Sequence, residues 1–79
     1  MATREVYHST HTDKDGWHVL MNGKIVSKHE LQAQAELDAR VRARAAYKRG
    51  RLGQAVLHKK NGTIRTEHTY GKDPERHPG

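Results

Sequence analysis

Short stretches in which apolar and polar residues alternate flank a long central run rich in alanine and arginine. Two Asn-Gly pairs, Asn22-Gly23 and Asn61-Gly62, each separate segments carrying Val, Leu or Ile. Asn-Gly readily supplies the two positive-φ positions of a type I′ turn, so each pair predicts a β-hairpin. The first hairpin spans residues 16–21 and 24–28, with Leu20 opposite Ile25 and Val19 opposite Val26. Trp17, Val19, Met21 and Val26 then share one face, taken as the core side, and His18, Leu20, Ile25 and Ser27 share the other. A preceding strand over residues 5–9 pairs with this hairpin through the polar loop 10–15, where Asp13-Lys14-Asp15-Gly16 reads as a turn. The second hairpin spans 54–60 and 63–69. Leu57 and Ile64 occupy one of its faces, and Val56, His58, Lys60, Thr63, Arg65 and Glu67 the other.

Between the hairpins, Ser27-Lys28-His29-Glu30 fits a capping box, with Ser27 as N-cap and Glu30 reaching back to it. The run 31–49 is rich in Ala, Gln, Glu, Leu and Arg, all good helix formers, and Gly50 follows as a left-handed C-cap. Its apolar residues alternate at even spacing, which is a strand-like period. Composition decides for the helix, because alanine is poor in strands and a strand of that length is anomalous. On a helix, Leu31 and Ala35 adjoin Leu37, Val41 and Ala45 as the inward stripe, and their small members let the helix lie close to a sheet. Residues 71–79, with two prolines and no periodicity, read as an irregular C-terminal tail behind a single domain over 1–70. The expected architecture is α+β: a small βββαββ domain, one antiparallel sheet packed on a single long helix.

Composition narrows the function classes. Hydrophobic residues make up 33% of the chain, and Leu, Ile, Val and Phe together number only twelve of 79, a level that signals disorder when net charge is high. Two hairpin signals in so short a chain argue for a folded domain instead. A chain of this length buries too little surface to enclose a large catalytic cavity. With no cysteine there is no disulfide framework, thiolate metal site or cysteine nucleophile. The absence of disulfide staples and of an apolar leader or membrane span points to a cytoplasmic setting.

Net charge is +6, and its placement is informative. Arg40, Arg44 and Lys48 recur every fourth residue, which on a helix makes one positive ridge. Arg49 and Arg51 extend that ridge, and Lys59, Lys60 and Arg65 cluster at the second hairpin turn. These eight residues are the candidate binding surface for a nucleic-acid phosphate backbone, with Tyr47, His58 or Tyr70 offering flat rings to bases. Glu36 and Asp38 stand four residues before Arg40 and Arg42, the spacing of ordinary helix ion pairs, while Arg44, Lys48, Arg49 and Arg51 have no such local acid. The alternative partner is an acidic protein, met by the basic helix or an exposed sheet edge. The same edge allows a homodimer as well as a monomer.

The other chemistry is thin. Seven histidines invite a metal reading, but His8 and His11 point to opposite faces of a strand and His58 and His68 to opposite faces of the second hairpin. They are expected to be solvated surface groups. Asp13 and Asp15 sit in a turn, where Asp serves the backbone. No serine lies in a nucleophile elbow, and no glycine-rich loop precedes a helix. No residue is assigned to catalysis, metal or cofactor. Trp17, the sole tryptophan, is the expected centre of the core, and Tyr70 a terminal clasp over a sheet edge.

Several strings resemble a small bacterial and phage family known as domain of unknown function 2188. They are His8, Asp15-Gly16-Trp17-His18-Val19, the Ala- and Arg-rich helix, Leu57-His58 with Asn61-Gly62-Thr63-Ile64-Arg65, and Glu67 with Thr69-Tyr70-Gly71-Lys72-Asp73-Pro74. The resemblance implies a small α+β domain and carries no activity with it.

Overall fold

The computed structural model describes residues 4–14 and 16–71. Its elements are β1 (Arg4–Thr12), β2 (Gly16–Met21), β3 (Lys24–His29), α1 (Gln32–Lys48), β4 (Leu52–His58) and β5 (Ile64–Tyr70). The βββαββ order matches expectation, and α1 lies across one face of a single five-stranded sheet ordered β3-β2-β1-β4-β5. That sheet is mixed rather than antiparallel, because β1 and β4 pair in parallel at its centre. A tight turn reverses the chain direction, whereas the α1 crossover returns β4 to the sheet running the same way as β1. The expected tail lies outside the described residues beyond Gly71.

The first hairpin closes as its sequence dictates, with Asn22 at φ +55° and Gly23 at φ +78°. Leu20 faces Ile25, but a bulge between Val19 and Leu20 sets Val19 opposite Ser27 instead of Val26. Ser27 is thereby turned to the helix side and β3 continues to His29, so the expected capping box does not form. Leu31 is the N-cap, without a side-chain bond, and α1 has 17 residues. Its far end closes as expected: the Gly50 and Arg51 amides donate to the Tyr47 and Ala46 carbonyls, with Gly50 at φ +90°. In the second hairpin only Gly62 is left-handed. The loop is wider than two residues, with the Lys59 amide bonded to the Thr63 carbonyl at 2.7 Å. A bulge between Leu57 and His58 pairs Leu57 with Thr66 and His58 with Ile64, so Leu57 and Ile64 do not share a face.

The core lies between α1 and the sheet. Tyr7, Trp17, Val19, Ala55 and Leu57 come from the strands, and Ala35, Ala39 and Ala43 from the helix. Trp17 is 6% exposed, as its expected role requires. The helix is rotated relative to the expected stripe. Its inward side is alanine throughout, while Leu31, Leu37 and Val41 are about half exposed. Gly53 explains the rotation, since a Cβ there would stand 1.9 Å from the Ala43 carbonyl oxygen. The helix backbone rests almost on the sheet, leaving room beneath it only for methyl groups, and the sheet supplies the bulky side chains.

Candidate nucleic-acid interface

Close docking of α1 over β4 leaves a groove along its flank, between the helix and the edge strand β5. Pairing of β5 with β4 sets Thr66, His68 and Tyr70 on the helix side, opposite Leu57, Ala55 and Gly53. Two hollows run along this groove. One is lined by Glu36, Arg40, Leu57, Arg65, Thr66 and His68. The other is lined by Leu37, Arg40, Val41, Arg44 and Tyr70. Arg40 belongs to both. Its Nε is buried without a hydrogen-bond partner among the described residues.

The eight cationic residues singled out from the sequence do not form one surface. Arg40, Arg44 and Arg65 line the groove. Lys48, Arg49 and Arg51 lie at the C-terminal end of α1, and Lys59 and Lys60 at the β4–β5 turn near its other end. Three of them are paired with two carboxylates, Arg49 and Arg51 sharing one. Glu5 pairs with Arg49 at 2.8 Å and Arg51 at 3.2 Å, and Glu36 takes both its oxygens to Arg65 at 2.8 Å. Asp38 pairs with Arg42 as its spacing predicts, whereas Glu36 turns from Arg40 to the sheet. Arg40, Arg44, Lys48, Lys59 and Lys60 have no carboxylate partner among the described residues. Helical rise sets Arg40, Arg44 and Lys48 about 6 Å apart in succession along the axis.

Of the proposed stacking rings, Tyr70 lines the groove and Tyr47 is half exposed on α1. His58 is on the opposite face of the sheet, and His68 stands in the groove in its place. His58 and His68 lie on opposite faces as expected, and it is His68 that faces the helix. The pairing of Glu5 with arginines 44 and 46 positions away has no sequence signal.

Charge is managed elsewhere by short-range contacts. The Tyr7 hydroxyl donates to Glu5 at 2.6 Å, and with the two arginines it holds this carboxyl below its ordinary range despite partial burial. Burial and that same carboxylate push the Tyr7 hydroxyl up. Burial would raise Asp38, but hydrogen bonds from Ser27 and His29, together with Arg42, outweigh it and the carboxyl is held down.

Ser27, His29 and Asp38 are the residue types of a hydrolytic triad, yet they are wired differently. The Ser27 hydroxyl donates to Asp38, and the same His29 nitrogen, Nε2, faces both Asp38 at 2.9 Å and Ser27 at 3.1 Å. A triad needs the acid on one ring nitrogen and the serine on the other, with the serine proton directed to histidine. Here the carboxylate accepts that hydrogen bond, and the cluster serves as a strut between β3 and α1.

A family model described as "Uncharacterized protein conserved in bacteria (DUF2188)" matches residues 7–70. No curated protein and no solved structure matches the chain.

Proposed function

The chain belongs to the DUF2188 family of uncharacterised bacterial proteins, and on that premise we propose that it is a small nucleic-acid-associated factor that holds phosphate backbone along the α1–β5 groove. The observation that carries this reading is Arg40, which lines both hollows and has no carboxylate partner among the described residues. A groove cation without a local carboxylate offers an incoming oxyanion a charge-assisted hydrogen bond. Arg44 and Lys48 continue the track, and the rings of His68 and Tyr70 give bases surfaces to stack on. The factor is non-enzymatic, since its Ser–His–Asp cluster holds the hydroxyl as a donor to carboxylate rather than freeing it for attack. It works as a monomer, or as a homodimer through the β3 or β5 edge.

Fluorescence anisotropy of a labelled single strand tests the reading. Binding should weaken with salt, with a log–log slope of roughly 2 for three phosphates on a single strand. The R40Q/R44Q double variant should lose most of it while keeping its fold. Salt-independent binding, or none, removes the proposal. Half-exposed Leu37 and Val41 beside Arg44 favour the second reading, an acidic protein partner with an apolar stripe. In that case L37S/V41S, rather than R40Q, abolishes capture of the partner.

A further inference from the structure

The face of the sheet away from α1 carries a pair of histidines that the groove does not use. His8 on β1 and His58 on β4 stand on adjacent central strands, where parallel register sets His8 beside Val56. Their rings are 5.3 Å apart, and Nδ1 of His8 lies 3.0 Å from Nε2 of His58. The other nitrogen of His58, Nδ1, lies 3.2 Å from the Gly62 carbonyl oxygen. A carbonyl only accepts, so His58 Nδ1 carries the hydrogen and the neutral ring presents its Nε2 lone pair to His8. His8 therefore donates from Nδ1 in the resting pair.

We propose that His8 Nδ1 and His58 Nε2 form an exchangeable binding site for a borderline divalent cation of the zinc, nickel and copper class. Two metal–imidazole bonds of about 2.0–2.1 Å, meeting at 90–110°, set their nitrogens about 2.9–3.4 Å apart. The observed 3.0 Å falls within that range, so a cation replaces one N–H···N bond without backbone movement. The His8 proton moves to its own Nε2 as Nδ1 takes the metal, and both rings stay neutral. The Gly62 carbonyl orients His58 as the outer partner of a metal-bound imidazole does.

Glu67, on the neighbouring strand β5 and the same face, and bonded to Gln54 at 3.0 Å, adds negative charge to the surroundings. No three His, Cys, Asp or Glu side chains converge on one point among the described residues. Water must complete the coordination shell, which makes the site exchangeable rather than structural.

The test is a zinc titration of the intact protein, followed by calorimetry and by imidazole nitrogen shifts. One equivalent should move the His58 Nε2 resonance strongly and leave Nδ1 hydrogen-bonded. The H8Q and H58Q variants should each weaken binding at least about tenfold, E67Q less, and H11Q not at all. Unmoved His58 nitrogens, or affinity unchanged in both H8Q and H58Q, would overturn the proposal. The nitrogen shifts are read on the unsubstituted protein, so the result stands even if a variant fails to fold.

Discussion

The two sides of α1 solve opposite problems with similar numbers of residues. The inner side is alanine against Gly53, where a single methyl group is the largest element the gap admits. The outer side mixes Leu37 and Val41 with Arg44 and Lys48, all of them exposed. A helix is usually oriented by its largest apolar residues, but here the sheet brings Trp17, Tyr7 and Leu57 and the helix contributes only closeness. Packing distance decides the helix phase in this molecule, and hydrophobicity ranks second.

The sharpest way to break that contrast is to remove the bulk the sheet supplies. Trp17→Ala should cost about 3–5 kcal/mol in urea denaturation, because alanines opposite cannot collapse into the void. Gly53→Ala attacks the closeness itself. Its new methyl meets backbone rather than a movable side chain, and we expect a loss of about 1–3 kcal/mol or more, with shifted amides around Ala43.

Asp38 is next in size. It joins the helix to β3 through Ser27 and His29, and Asp38→Asn should cost about 1–3 kcal/mol at neutral pH. Its carboxyl and that of Glu5 are both held below their ordinary values in the folded state. Their contribution is complete above the unfolded carboxyl range and disappears as pH falls through the folded values. The denaturation midpoint should therefore drop on acidification below about pH 4, and less steeply in Asp38→Asn. The smallest effect is expected on the solvent side of α1. Leu37→Ser and Val41→Ser should each change stability by less than about 0.5 kcal/mol, whereas a helix packed through Leu37 and Val41 would lose several times more.

What the sequence made legible follows from the range of the forces involved. Asn22-Gly23, Gly50 and the alanine-rich run act through local backbone geometry, and the first hairpin turn, the helix end and the helix itself are found where they are expected. Trp17 was identifiable because no other side chain in the chain is as large. The helix phase was not, since Leu37 and Val41 alternate with Ala39 and Ala43 and only the Gly53 contact selects between them. Ser27 has a capping sequence, but the β2–β3 bulge keeps it in a strand and directs it to Asp38. The site divided in the same way. Helical spacing located the Arg40, Arg44 and Lys48 ridge, but β5 completes the groove, and Glu5 and Glu36 hold three of the cations in ion pairs between elements. His8 and His58 are 50 positions apart and meet only because β1 and β4 pair in parallel.

The reading proposed for this molecule is that the outer flank of α1 and the strand β5 together hold phosphate. An amide and side-chain NMR titration with a short single strand, at low and at moderate salt, tests it most directly. Shifts should concentrate on Arg40, Arg44, Lys48, His68 and Tyr70, fade at the higher salt, and spare His8 and Leu20 on the other face. A silent titration on a well-dispersed spectrum, or shifts confined to that other face, would contradict it.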